Sequence, residues 1–526
     1  MTRQALNPYL PSFEYVPDGE AHVFGDRVYL FGSHDRFNGA LYCLNDYVSW
    51  SADVHDLSDW RYEGVIFRKD QDPRNPDARI VSDDINDFDE GILERIRHGI
   101  TELDLPGMHQ LWAPDVARGS DGRYYLYYCL DWRMPEVGVA VCDEPAGAYE
   151  FLGLVRHADG IPLGDRDGDL AQFDPSVFVD DDGKAYLYSG SAPIFAREDL
   201  RDLPMGSQVM EVEPDMVTVR EGSCHRLLPS VFTSAGTGFE GHEFYEASSI
   251  RRVGDAYYLT YSSVRSQELC YAVSDRPDQG FRFGGTIVDI GNVGYAGRTQ
   301  ERAENPVGNT HGGIELIDGQ WYVFYHRQTN RTDCSRQACA EKVFLDETGR
   351  IAQVEVSSCG LSKGPLAGRG FYPACACCHL SSADGAAPVG PAALDERYPY
   401  LTQDVPDLDP TEENMARDRV NPVQYVANLC DGAVVGYRSF AFRDLREITL
   451  CCRGDADGVV EVLADEEGEP SGVVSLSLEP SGSWREVSGC VSVPDGTCTL
   501  FLRYRGSGSL DLKGFVLKDV DDISRG

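Results

Sequence analysis

Three acidic residues stand at the entrance of strand-like runs, where a chain entering a core seldom places them. Asp18 lies in "VPDGEAHVF", Asp174 in "QFDPSVFV" and Glu246 in "FYEASSIRR". Taken singly, each reads as a turn-capping acid, since Asp-Pro and Asp-Gly are ordinary turn dipeptides. Glu246 resists that reading, because Glu is a poor strand residue and the flanking residues look buried. Carboxylates forced together disfavour each other's charge, so at least one keeps its proton to higher pH. An ionised carboxylate beside a protonated one is what glycoside hydrolysis requires. One activates water while the other delivers a proton to the leaving oxygen.

Distant acids need a scaffold that brings them together. Five segments share one pattern, a polar turn with Gly or Asp leading into an aromatic-rich strand. They are "FGDRVYLFGS" (24–33), "GSDGRYYLYY" (119–128), "VDDDGKAYLYSG" (179–190), "RVGDAYYLTYSS" (252–263) and "LIDGQWYVFYHR" (316–327). A further strand precedes each, which makes five hairpins of one type. Units of about four strands, repeated five times, read as a β-propeller. Innermost strands line the central channel of such a fold, and their equivalent ends meet at one mouth. Asp18 opens blade one, Asp174 blade three and Glu246 blade four, so the three acids converge there.

The spacing between hairpins is uneven. The largest insertion, 64–108, carries Ile92, Leu93, Ile96, Ile100 and Leu103 near helical spacing, which predicts one short amphipathic helix. After about residue 360 the texture changes. The stretch 361–395 is rich in Ala, Gly and Pro and reads as a linker or a long connecting segment. Short, evenly spaced strands with Gly-rich turns follow over 396–526 and predict a β-sandwich, jelly-roll-like. The expected architecture is all-β, with a propeller over 1–360, the linker, and the sandwich.

Composition narrows the function. The chain has 526 residues, with 47 Lys+Arg against 86 Asp+Glu and a formal net charge of −39. Such a surface repels nucleic acid and anionic membranes, and it suits a neutral partner such as a small oligosaccharide. No run approaches the roughly 20 apolar residues of a membrane-spanning helix, and the first residues lack the apolar core of a signal peptide. A cytoplasmic location is the expectation. The 16 cysteines fit it if reduced, many of them sitting as small hydrophobes in strand-like runs. The cluster Cys375, Cys377, Cys378 and His379 lacks the spacing of a zinc knuckle.

At this point the sequence resembles glycoside hydrolase family 43. The resemblance rests on "VPDGEAHVFGDRVYLFGSHD", "LWAPDVARGSDGRYYLYY", "FDPSVFVDDDGKAYLYSG", "YEASSIRRVGDAYYLTYSS" and "GNTHGGIELIDGQWYVFYHR", in order over residues 7–355. It implies Asp18 as general base, Asp174 as the group that orients the acid and tunes its pKa, and Glu246 as general acid. It also implies inversion at the anomeric carbon, with base and acid roughly 6.5–9.5 Å apart. His311 in "GNTHGG" corresponds to a channel histidine that binds calcium or another ion in many relatives, directly or through water; no cofactor is otherwise required. Arg327 corresponds to a basic residue near the sugar subsite. Trp112 is expected to stack on sugar or to fill the channel wall, and His34 to bind sugar hydroxyls. Asp35 is expected to serve a turn, and Asp115 to be structural. The C-terminal region is similar to family 6 carbohydrate-binding modules, here expected to clasp the propeller, with Trp484 and Tyr504 in strand contexts.

The implied activity is exo-acting release of a terminal pentose, α-L-arabinofuranose or β-D-xylose, from oligosaccharides. A β-D-galactofuranosidase or another furanosidase is the alternative; Asp18-Gly19 and Glu246-Ala247 stand where many members carry Asp-Pro and Glu-Gly-Pro, which leaves the sugar open. A retaining fructan hydrolase would need Arg-Asp-Pro and Glu-Cys, whereas this chain has Phe173-Asp174-Pro175 and Glu246-Ala247. A non-catalytic sugar-binding propeller would have no need of all three acids.

Overall fold

The computed structural model describes residues 4–37, 39, 41–76, 109–131, 134–388, 397–404, 422–520 and 522. Five antiparallel sheets succeed one another along the chain. Blade one runs from β1 (Glu20–Phe24) to β4 (Asp56–Phe67), blade two from β5 (Trp112–Arg118) to β8 (Glu150–Leu154), and blade three from β9 (Ser176–Val179) to β12 (His225–Arg226). Blade four runs from β13 (Phe244–Val253) to β16 (Arg282–Asp289). Blade five comprises β17 (Ile314–Ile317), β18 (Gln320–Thr329) and β19 (Thr332–Val343). The first strands form a closed ring, each touching the next and β17 returning to β1. A parallel bridge between Gly19 and Gly312 marks that closure.

Each blade packs on a neighbour at both faces, so its middle strands are buried on both sides. This is why they are aromatic-rich rather than alternating: all six residues of β6 (Tyr124–Cys129) are buried. Their hydroxyl groups still find partners, as buried tyrosines must. Tyr128 donates to Asp72 at 2.7 Å and Tyr127 to the Met216 carbonyl at 2.5 Å.

Blade five has three strands, and the N-terminal segment covers its outer edge through one side chain. The buried Asn7 amide accepts the Ala340 N–H at 2.9 Å and donates to the Ala340 carbonyl at 2.9 Å. It thereby does what a fourth strand's peptide group would do.

Blade one's outer strand extends through Phe67 and is followed by a single 3-10 turn, Lys69–Gln71. The insertion expected from 64 therefore begins as regular blade. The predicted helix around Ile92–Leu103 lies outside the described residues.

Residues 366–381 contain paired strand pieces and are not a free linker. Leu366–Ala367 pairs with Val434–Phe442, Gly370–Pro373 pairs with Gly496–Asp519, and His379–Ser381 pairs again with Val434–Phe442. These pieces are two to four residues long, too short to show a period. Their small residues, Ala374 to Cys378, are buried between layers, which explains a composition that mimics a linker. They join the long strands Leu445–Leu463, Gly472–Cys490 and Gly496–Asp519 in one nine-stranded network. Its core contains Tyr437, Phe440, Leu450, Leu502, Tyr504 and Phe515. Trp484 packs edge-on against Tyr425 and under the Arg453 guanidinium.

Polar contacts fix this C-terminal layer to the propeller. Arg438 donates to Glu304 at 2.7 Å, and Asn305 to the Cys378 carbonyl at 2.6 Å. No helix among the described residues is long and apolar enough to cross a membrane.

Asn7→Ala should lower stability by about 2–4 kcal/mol, because it strands the Ala340 N–H and carbonyl in a buried layer. The urea midpoint should fall with little change in slope; an unchanged midpoint would show that this side chain does not close the fifth blade.

Candidate active site

One cavity of about 400 Å³ opens at the channel mouth. Its walls include Asp18, Trp112, Asp174, Glu246 and His311, together with Tyr42, Asp333 and Arg336. Four of the blades supply the three expected acids, His311 and Arg336, from positions up to 318 residues apart.

The local backbone explains the convergence. Asp18 and Asp174 have φ of 56° and 43°, and Ala247, next to Glu246, has φ of 66°. Left-handed backbone is tolerated by Asp but costs Ala roughly 1–2 kcal/mol. Strand β13 also shifts register on both sides of Glu246. A bulge of this kind turns a side chain out of the pleat, here toward the cavity instead of the blade interface. Such strain is commonly held at functional sites.

Asp18 sits in a rigid polar frame. Burial opposes its charge, yet the Arg336 guanidinium holds its pKa below the usual carboxylate range. Arg336 Nη1 donates to Asp18 Oδ1 at 2.9 Å, while Nε and Nη2 donate to the two oxygens of Asp35 at 2.8 and 3.0 Å. Tyr42 lies beneath the guanidinium, its ring centre 4.8 Å from the central carbon. His326 fixes the backbone of the same aspartate. Its Nε2–H donates to the Asn309 carbonyl at 2.8 Å, leaving Nδ1 to accept the Asp18 N–H at 3.2 Å. Burial and the nearby Arg336 push the His326 pKa down to about 3, so this ring is neutral.

The opposite wall is polarised the other way. Burial and then the Asp174 carboxylate push the Glu246 pKa well above its ordinary value. Asp174 Oδ2 lies 3.4 Å from His311 Nδ1. Burial works against charge on His311, but Asp174 outweighs it and raises the imidazole to about 9. The cavity thus favours the charged form of Asp18 and the protonated form of Glu246, with Asp174 paired to His311.

Other expected residues divide. Trp112 is on the cavity wall, edge-on to Phe173 at 5.4 Å and to Tyr42 at 6.0 Å. His34 is not on it: the ring is buried, and Nδ1 hydrogen-bonds the Asp46 carbonyl at 2.8 Å. Arg327 is not on it either. It donates to the carbonyls of Cys377 at 2.9 Å and Cys375 at 2.6 Å, tying β18 to the C-terminal layer. Strand alternation explains this, since His326 faces the channel and its neighbour must face away. Asp115 is structural. It accepts from Val177 N–H at 2.8 Å and Ser176 Oγ at 3.0 Å and contacts His22 Nε2 at 2.6 Å, joining blades one, two and three.

His311 turns Nδ1 toward the Asp174 carboxylate. Among the described residues, the groups of three side chains with converging ligand atoms do not include it.

Sequence reading missed Arg336 and its bidentate partner Asp35, which is far more than a turn residue. The signal was present. Arg336 interrupts "CSRQACA", a strand that is buried from Ser335 to Glu341, and a charge in such a place needs a partner.

A sequence model of the glycosyl hydrolases family 43 matches residues 97–351. A xylosidase/arabinosidase of Thermoclostridium stercorarium is 45% identical over 522 residues, spanning 98% of this chain and 99% of the relative. The chain belongs to glycoside hydrolase family 43. It is a hydrolase of O-glycosidic bonds. A β-xylosidase of Xylanibacter ruminicola is 26% identical to this family 43 enzyme over 366 residues, 66% of this chain and 99% of the relative. Among solved structures, an arabinoxylan arabinofuranohydrolase of the same family from Bacillus subtilis, in complex with cellotetraose, aligns with a TM-score of 0.47. It is 20% identical, over 98% of this chain and 97% of that one.

Arg336→Lys cannot bridge Asp18 and Asp35 as a planar fork does. The acidic limb of the kcat/KM profile should move up by roughly one pH unit as Asp18 loses its close positive partner. An unmoved limb would show that Arg336 does not set the ionisation of Asp18.

Proposed function

We propose that this enzyme removes a terminal pentose, α-L-arabinofuranose or β-D-xylose, from short oligosaccharides with inversion. Asp18 acts as general base, Glu246 as general acid, and Asp174 as the group that orients the acid. The observation carrying this is the opposite polarisation of Asp18 and Glu246 across one cavity. Asp18 takes a proton from water as the oxygen attacks the anomeric carbon. Glu246 gives its proton to the glycosidic oxygen as the bond to the leaving group breaks. Asp18 ends neutral and Glu246 ends ionised, so a proton exchange with solvent restores both. Asp174 supports the protonated form of Glu246 by its charge, and its pairing with His311 keeps that charge in place. The pentose assignment is supported by the names of the relatives, and a cavity of about 400 Å³ suits a sugar ring held at a chain end.

The calcium implied for the channel has no part in these steps. Chelation with EDTA should leave kcat/KM within about two-fold, whereas a protein-held ion would make activity chelator-sensitive.

Hydrolysis of 4-nitrophenyl α-L-arabinofuranoside, β-D-xyloside and β-D-galactofuranoside tests the reading. Release from a pentoside should fall by about 10³-fold or more in both Asp18→Asn and Glu246→Gln. In the unaltered enzyme kcat/KM should fall below the pH at which Asp18 takes up its proton and above the pH at which Glu246 loses its own. Glu246→Gln should remove the alkaline limb. Activity that survives Asp18→Asn would sink the base assignment, and release of galactofuranose alone would replace the pentose.

A further inference from the structure

The cavity holds a fourth carboxylate that the acid–base steps do not use. Asp333 lies near the start of β19, three residues before Arg336, and lines the same cavity. The other acids there are committed: Asp18 to Arg336, Asp174 to His311, and Glu246 to its own proton. Arg336 commits four of its five N–H donors to Asp18, Asp35 and Cys43 Sγ. Among the described residues the Asp333 carboxylate accepts no hydrogen bond and pairs with no cation within 4 Å; the groups that bear on it are Arg336 and Asp35. A half-buried carboxylate in that condition is poorly solvated and open to a donor brought by a ligand.

Its seat is built for it. A Cβ on Gly308, across the cavity wall, would lie 2.8 Å from Asp333 Oδ1 and 2.5 Å from Gln328 Nε2. Glycine at 308 therefore leaves room for the carboxylate against the 307–309 loop. Its charged neighbours are Arg336 and Asp35, which places it on the Asp18 side of the cavity. Under the roles proposed above, the ring attacked by water lies on that side and the leaving group lies beside Glu246. Burial and the neighbouring Asp35 favour the neutral form and Arg336 opposes them, so donors supplied by substrate would stabilise the ionised form.

We propose that Asp333 is a specificity-determining residue that accepts hydrogen bonds from hydroxyl groups of the terminal sugar. This rests on the functional reading given above. A carboxylate accepts from two adjacent hydroxyl groups at once, and such bonds are stronger than neutral ones. A neutral sugar lacking the hydroxyl in question would leave the carboxylate unpaired, which is the basis of strong discrimination.

The test compares the full chain with Asp333→Asn and Asp333→Ala on 4-nitrophenyl β-D-xyloside and its 2-, 3- and 4-deoxy analogues, with the arabinofuranoside run in parallel. Thermal melts confirm that the variants fold. Asp333→Ala should lower kcat/KM on the parent pentoside by about 10- to 100-fold, and Asp333→Asn by less. On one deoxy analogue the loss should shrink to about two-fold, because the hydroxyl it serves is already gone. A loss that is equal on every analogue, or absent on all, overturns the proposal while the functional reading stands. An unaltered enzyme that releases no pentose at all defeats both.

Discussion

A buried guanidinium holds the molecule's chemistry and its closure together. Arg336 is 2% exposed in its side chain, and an isolated charge at such a place would be untenable. It is neutralised by Asp18 and Asp35, both from the blade-one region, while Arg336 itself belongs to blade five. One ion-pair network therefore spans the seam where the ring closes and also fixes the ionisation of Asp18. The chain cannot keep Asp18 anionic without bringing blade five to blade one. The scaffold and the reactive acid thus share a single electrostatic condition.

The rest of the site follows from how a propeller ends its inner strands. A regular pleat would send alternate side chains into blade interfaces, where a carboxylate has no partner. Left-handed residues at Asp18, Asp174 and Ala247, with the bulge at Glu246, interrupt the pleat where the channel opens. The acids then meet in a small, poorly solvated space. There Arg336 favours charge on Asp18, while desolvation and then Asp174 push the Glu246 pKa up. Identical chemistry at the two carboxyl groups is separated into base and acid by their neighbours alone.

The C-terminal layer is bound to the propeller by buried polar contacts. Arg327 and Asn305 reach carbonyls of residues 375–378, and Arg438 reaches back to Glu304. Trp484 lies under Arg453 and against Tyr425, and Tyr504 is buried in the core.

The sequence by itself determined the repeated hairpins, because a turn with Gly or Asp followed by an aromatic strand is a local pattern. It also determined the three acids at blade starts, because an acid leading into an apolar run is anomalous on local grounds. It could not determine what faces the cavity beyond them. His34 and Arg327 carry plausible chemistry but point elsewhere, since one step along a strand reverses a side chain. Ala374 to Cys378 read as a linker because strands of two to four residues have no period to detect. Arg336, Asp35 and Asp333 took their meaning only from tertiary structure. Their partners lie some 300 residues away or, for Asp333, are absent among the described residues, and burial and charge pairing arise only once the ring has closed.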